Sequence, residues 1–278
     1  MRTEREGYGV CGLGTLPRVA KAMLHVGEEP PLIKGAGSGA VFFAGCTLNC
    51  VFCQNAQISA NPNAGQACTP SRLAETFKSL EEQGASNINL VSGTPHVLAI
   101  ISALELYKPS VPVVWNSSGY ETVETIKLLA PYVDVWLPDL KYADDSLAAL
   151  LSGADNYKET ALSAITLMRE ISGEAAFNED GAMTRGTIIR HLVLPHHVRN
   201  SVDVLNLIST RFPRTHLSLM GQFTPCHMSA KFGLSDKLSL AAWRVVKNHR
   251  AALRLDEGWN QPPTASGTNM IPVWNAKD

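Results

Sequence analysis

Short apolar or β-branched runs alternate along the chain with longer segments of helical spacing, and this alternation limits the fold more than any other feature. The runs are AVFFAG (40–45), NINLVS (87–92), PVVWN (112–116), VDVWLP (133–138), GTIIRHLVL (186–194) and HLSLMG (216–221). Between them lie TPSRLAETFKSLEEQG, HVLAIISALELY, ETVETIKLLAPY, NYKETALSAITLMREI and NSVDVLNLIST, with DKLSLAAWRVVKNHRAAL after the last run. In the first of these, Thr69 and Pro70 predict an N-cap and first turn, Leu73, Phe77 and Leu80 share one face, and Gly84 marks the stop. Six such alternations predict parallel strands joined by crossover helices.

Chemically capable residues cluster just past the strand ends: Cys46; Ser92, Thr94 and His96; Asn116, Ser117 and Ser118; Asp139 and Lys141; Arg190, His191, His196 and His197; Gln222 and His227. An open doubly wound sheet uses its carboxyl edge only near a switch point. Contributions from all six units point instead to a ring, as in barrels whose active face is the carboxyl end of the strands. The predicted fold is α/β, a partial (β/α)6 TIM-type barrel of parallel strands. With no linker-like stretch, one domain is expected over 1–278: an extension at 1–27, a core at about 30–230, and a Pro- and Gly-rich tail at 255–278.

Hydrophobic residues at 45% and charged residues at 18% describe a globular chain, and a net charge of −1 gives no electrostatic reason to expect nucleic acid or an anionic membrane. No apolar run approaches the roughly 18 residues of a membrane span, and the opening MRTEREGYGV lacks a signal-peptide core. A cytoplasmic location, where thiols stay reduced, is therefore expected.

In such a setting cysteines point to metal or catalysis rather than disulfides. Cys46, Cys50 and Cys53 fall within AGCTLNCVFCQN, at a predicted strand end among Gly, Thr, Asn and Gln. Buried hydrophobic thiols rarely concentrate this way. Structural zinc wants four protein ligands, the fourth here being Cys68, Cys226 or a histidine. An iron–sulfur cluster takes thiolates as its standard ligands, and a cubane held by three of them leaves one iron open.

The Cys-x3-Cys-x2-Cys spacing after the first strand of a βα series, with Phe52 before the last cysteine, resembles the radical S-adenosylmethionine (SAM) superfamily. The surrounding GSGAVFFAGCTLNCVFCQN resembles its activating-enzyme branch, proteins like the pyruvate formate-lyase activating enzyme, over about Gly27 to His227. The resemblance implies one 4Fe-4S cluster on Cys46, Cys50 and Cys53, with SAM chelating the fourth iron. Reductive cleavage of SAM would release a 5′-deoxyadenosyl radical that abstracts a substrate hydrogen. It implies that Phe52 sits near the adenine, that Asp139 and Lys141 of the DLK motif contact SAM, and that Arg190 meets its carboxylate.

Two strand ends depart from the branch. Ser92-Gly93-Thr94-Pro95 stands where a Gly-Gly-Glu-type motif receives the SAM ammonium, so Gly93 would keep the close backbone approach and hydroxyls or carbonyls would accept the ammonium. Asn116, with Ser118 in NSSG, replaces an acidic residue. Cys226 would lie across the barrel as a hydrogen donor. Outside the motif only Cys11, Cys68 and Cys226 remain, too scattered for a second cluster, so an external flavodoxin or ferredoxin is the expected electron donor. The substrate is expected to be a backbone glycine of a glycyl radical enzyme; a small molecule or peptide is the alternative, and a non-catalytic zinc or iron–sulfur module is the rival from another class. No appended RNA-binding motif is present.

Overall fold

The computed structural model describes residues 13–61, 63–267 and Trp274; Cys11 lies outside them. All six predicted runs form strands. In chain order the strands are β1 (Arg18–His25), β2 (Ser38–Phe43), β3 (Gln66–Ala67), β4 (Ile88–Val91), β5 (Val113–Ser117), β6 (Val135–Pro138), β7 (Ala176–Phe177), β8 (Met183–Leu192), β9 (His216–Met220) and β10 (Gly258–Gln261). The helices are α1 (Ala56–Ser59), α2 (Pro70–Glu82), α3 (Val97–Leu106), α4 (Val123–Leu129), α5 (Asp145–Ser152), α6 (Tyr157–Ser172), α7 (Val198–Arg211) and α8 (Leu240–Ala252).

One sheet runs in the order β10-β9-β8-β6-β5-β4-β2-β1-β3, with β7 attached to β8. Every pairing from β2 through β10 along that path is parallel, and β1 runs antiparallel to β2. The two ends of the order do not pair, so this is a partial barrel. Alternation along the strands sends one set of side chains outward to the helices, such as Trp115, Trp136, Ile189 and Leu217. The other set points inward, among them Asn89, Asn116, Asp139, Arg190 and Ser218, and this polar interior frames the site.

Helix α2 shows how locally the rules act. Thr69 accepts the Arg72 N–H at 3.2 Å as N-cap, Pro70 takes the first turn, and Leu73, Phe77 and Leu80 are buried. Four strands escaped prediction for physical reasons. β1, RVAKAMLH, is half-buried without a contiguous apolar run and falls in the segment read as an extension. β3 and β7 have two residues each, and β10, GWNQ, lies in the tail without the apolar run of a buried strand. The tail thus extends the sheet through β10, beside β9. At the opposite end, residues between β1 and β2 fold beneath the barrel. There Leu32 packs among Val114, Val135, Leu137, Met183 and Ile188, while Glu28 and Glu29 bond inward-facing side chains.

Candidate active site at the carboxyl edge of the sheet

The loop after β2 carries Cys46, Cys50 and Cys53, all half-buried. Its shape is held from outside: Asn49 and Val51 donate N–H bonds to the carbonyls of Ser152 and Leu151 at the end of α5, and Met228 donates to Val51 O. Each sulfur has its own polar neighbour. Leu48 N–H points at Cys46 Sγ (3.4 Å), Ser152 Oγ donates to Cys50 Sγ (3.0 Å), and Ser59 Oγ lies 3.3 Å from Cys53 Sγ. Tyr142 in turn holds Ser152, at 2.6 Å.

Burial, with Cys50 and Cys53 close by, pushes the Cys46 thiol up to about 12. Burial likewise raises Cys50, against the pull of the Lys141 ammonium. Three thiolates packed this closely need positive charge to persist, as bound iron would supply. Among the described residues no three or more His, Cys, Asp or Glu side chains converge as a single ion requires. A 4Fe-4S cluster takes one thiolate per iron and needs no such convergence.

Lys141 sits beside this loop and pairs with Asp139, the two side chains 20% and 15% exposed. They are not a solvated surface pair. Burial works against the Asp139 charge, but Arg190 and Lys141 together hold its carboxyl below the usual range. Two features lock the strand end. Tyr157 Oη accepts the Lys141 N–H (2.9 Å) and lies 2.8 Å from Ser118 O and 2.9 Å from Asp139 O. Gly119 has φ +74°, and a Cβ there would fall 2.2 Å from Asp139 O, so only glycine lets the two loops touch.

Arg190 departs from expectation. Its guanidinium donates to Asp139 Oδ1 (2.8 Å) and Asn116 Oδ1 (2.6 Å) and meets Glu28 Oε1 at 3.5 Å. Asn116 also donates to Glu28 Oε2 at 2.9 Å. Both side chains are committed to the barrel interior because Glu28 reaches them from below. The bidentate fork expected to meet a SAM carboxylate is already engaged with the protein's own groups.

At the end of β4, Ser92 adopts φ +58° and its N–H donates to Asn116 O at 2.9 Å. A Cβ on Gly93 would meet Ile100 and Trp115 at 2.8 and 2.9 Å, so packing against the helix layer accounts for that glycine. Thr94 donates to Glu121 Oε1 (2.7 Å), and Ser117 donates to Glu121 Oε2 (3.0 Å). Ser118 is half-buried, its Oγ accepting the Tyr120 N–H at 3.4 Å. Phe52 is buried and packs edge-on to Phe223, with ring centres 6.2 Å apart.

Cys226 lies beside the cysteine loop rather than across the barrel. Its Sγ donates to Phe52 O at 3.3 Å, and burial together with Cys53 pushes its thiol up to about 11. The loop after β9 meets the cysteine loop here, Met228 donating its N–H to Val51 O at 2.9 Å. His191 faces outward and is saturated, Nδ1 at 2.7 Å from Leu140 O and Nε2 at 2.9 Å from Ser201 Oγ. His196 and His227 are exposed, and Gln222 bonds Gln261.

Sequence reasoning missed Glu28, Glu29, Glu121, Ser152 and Tyr157. In GEEPP and GYETVE the glutamates read as loop and helix-start acids, and no local signal marks them as buried.

A family model for the radical SAM superfamily matches residues 40–207. An uncharacterized protein of Methanocaldococcus jannaschii is 32% identical over 218 residues, which cover 75% of this chain; the chain spans 59% of that relative's length. Among solved structures, SuiB of Streptococcus suis matches with a TM-score of 0.53 at 13% identity, over 82% of this chain and 48% of its own. The FeFe-hydrogenase maturase HydG gives 0.52 at 13%, over 78% and 48%. Methylornithine synthase, PylB, gives 0.50 at 13%, over 82% and 71%. At such identities these three structures share the fold alone.

Proposed function

Since this chain belongs to the radical SAM superfamily, whose members characteristically bind a 4Fe-4S cluster and SAM, we propose that Cys46, Cys50 and Cys53 hold the cluster and that SAM binds between it and Lys141. The observation that carries this reading is the trio of half-buried thiols on one braced loop, each with its own polar neighbour, beside a half-buried lysine. Bound there, the cluster and SAM supply one-electron cleavage of the sulfonium and a 5′-deoxyadenosyl radical that takes a substrate hydrogen.

The chain's own residues have separate tasks in this reading. Ser152, Leu48 and Ser59 orient the sulfurs and disperse their charge. Lys141, held by Asp139 and close to Cys50, offers a cation for the SAM carboxylate. Phe52 and Phe223 keep the cluster side of the loop apolar and shielded from water. An external flavodoxin or ferredoxin provides the electron.

The substrate side of the proposal follows the activating-enzyme reading: the hydrogen comes from a backbone glycine of a partner protein. The cysteine context GCTLNCVFCQN supports it, and an unclosed sheet suits a polypeptide approaching from the side. A glycyl radical EPR doublet on the partner supports this form; radical transfer to a small molecule or peptide alone refutes it.

The central test is anaerobic reconstitution with iron and sulfide, dithionite reduction, and detection of 5′-deoxyadenosine after SAM is added. Wild type is expected to form it and Cys50→Ala to lose it together with the cluster absorbance. A full, reduced cluster whose EPR signal SAM leaves unchanged, with no 5′-deoxyadenosine formed, overturns the reading.

A further inference from the structure

One stretch of the barrel interior is apolar, and a tryptophan from the chain's own tail sits on it. In the β2–β4 register Ala40 pairs with Asn89 and Phe42 with Val91. Ala40, Phe42 and Val91 therefore share the inward face that elsewhere carries Asn89, Asn116, Asp139 and Arg190. Ile58 completes the patch. It belongs to α1, next to Ser59, whose hydroxyl lies 3.3 Å from Cys53 Sγ, so the patch adjoins the cysteine loop. Trp274 packs on this patch, edge-on to Phe42 with ring centres 5.3 Å apart. It follows Gln261, the last residue of β10, by thirteen positions, yet it lies against β2, towards the opposite end of the sheet order.

The seat of Trp274 is an exchangeable one. Its indole N–H is removed from water and has no hydrogen-bond partner among the described residues, which offsets part of what burying the ring contributes. Trp115 and Trp136 carry the same cost, but they are wholly buried in the helix layer, where the surrounding core retains them. Trp274 is only half-buried, so less opposes its leaving. The patch beneath it, by contrast, is buried at all four residues. Wetting that surface is unfavourable, so Trp274 is displaced readily only by another apolar group of similar shape. A phenyl ring meets the need best, since it brings no N–H to be left unpaired.

We propose that Ala40, Phe42, Ile58 and Val91 form a subsite for an aromatic side chain of the polypeptide substrate, close to the glycine that loses its hydrogen, and that Trp274 occupies the subsite when substrate is absent. The substrate role rests on the glycine reading above; the exchange at the patch does not.

The test uses the full chain with its cluster reconstituted and two probes, acetyl-Gly-Phe-amide and acetyl-Gly-Ala-amide, titrated by calorimetry. Wild type is expected to favour the phenylalanine peptide by about tenfold, the order expected from burying one ring. With Trp274 in place about nine-tenths of the time, Trp274→Ala should tighten the phenylalanine peptide about tenfold and leave the alanine peptide unchanged. Trp274→Phe, which keeps a ring on the patch, should stay within about threefold of wild type. On wild type alone, saturating phenylalanine peptide should shift the tryptophan emission to the red as Trp274 enters water, a shift that Trp274→Phe lacks. Circular dichroism melts report the fold of each variant. The assignment is overturned if folded Trp274→Ala binds the phenylalanine peptide no more tightly than wild type does, if both peptides tighten equally, or if the emission shift persists without Trp274. Free phenylalanine binding more tightly than the peptide overturns the polypeptide form. If 5′-deoxyadenosine never forms while Trp274→Ala still opens the patch to the peptide, the proposed function fails and the exchange at the patch stands.

Discussion

Both ends of the barrel bury glutamates, and they treat them differently. Beneath the strands, Glu29 Oε2 accepts from Trp259 Nε1 (2.6 Å), Ser218 Oγ (2.9 Å) and Gln261 Nε2 (2.9 Å). Glu28 accepts from Asn89 (2.8 Å) and Asn116 (2.9 Å) and lies 3.5 Å from Arg190. Those donors come from β4, β5, β8, β9 and β10, so two adjacent residues tie five strands of a sheet that does not close. At the carboxyl edge Glu121 has two hydroxyls, Lys141 remains 20% exposed, and three thiols stand half-buried with single weak partners. Saturated polar groups hold a fold together; groups left with spare capacity on an accessible edge are available for chemistry.

The largest effect expected from this contrast comes from the group that connects the two ends. Arg190→Met would leave Asp139 and Glu28 buried beside an apolar chain, and breaking a buried pair in this way costs about 3–5 kcal/mol. Urea denaturation of the variant should show that loss as a lowered midpoint. If Arg190 instead serves mainly to bind SAM, stability will stay within about 1 kcal/mol of wild type while SAM affinity collapses.

Glu29 gives the next largest effect, and its direction depends on pH. Burial, then the neighbouring Glu28, raise its carboxyl from 4.5 to about 7, against the pull of Arg190. Below pH 4.5 both folded and unfolded chains hold the proton, and this residue costs nothing. Between 4.5 and about 7 the unfolded chain releases its proton first, so stability falls as pH rises; above about 7 the loss is complete, on the order of 3 kcal/mol. Glu29→Gln keeps an acceptor for Trp259 and stays neutral at every pH. It should therefore be more stable than wild type at pH 8, with the difference vanishing towards pH 4.5. A variant less stable than wild type at pH 8 would mean that the ionised carboxylate contributes more than its burial costs.

The contrast between the two ends also explains what the sequence made legible. Parallel strands and their helices were readable because each rests on a local signal: the β-branched run at 112–116, the Thr69 cap, the stripe of Leu73, Phe77 and Leu80. The three cysteines and the Asp139–Lys141 pair were readable because their partners lie within a few positions. Glu28 meets Arg190 across 162 positions and Trp259 meets Glu29 across 230, and no periodicity encodes such pairings. Arg190 was drawn to a cofactor in the sequence reading because the carboxylate that claims it sits in GEEPP, outside any motif. Cys226 was placed on the wrong side because its position depends on where an irregular loop meets the cysteine loop, which only the folded chain determines.

Lys141 offers a smaller stability effect and a sharper functional one. Asp139 keeps Arg190 when Lys141 is removed, and the lost partner is partly exposed, so Lys141→Met should cost only about 1 kcal/mol. The same change removes the cation beside Cys50, and SAM binding to the reconstituted enzyme should weaken by about tenfold or more. Thermal melts and SAM titrations on one preparation separate the two. A stability loss as large as that of Arg190→Met would place Lys141 with the groups that hold the barrel rather than with the site.

The smallest effect belongs to Cys226, the fourth thiol near the cluster loop. Its sulfur makes one weak bond, to Phe52 O at 3.3 Å, and its backbone N–H is separately held by Ser229 Oγ at 3.1 Å. Cys226→Ser keeps a donor of similar size at the same place, so the change in stability should fall within about 0.5 kcal/mol, the range of substitutions that disturb no buried network. Iron content should stay at the wild-type value under the proposed ligation by the three motif cysteines alone. The comparison between saturated and available groups is sharpened by that result, because Cys226 then has capacity without a ligand. It is broken by the opposite one: iron lost from Cys226→Ser but not from Cys68→Ser would make Cys226 a fourth ligand, and the trio would no longer leave a corner open for SAM.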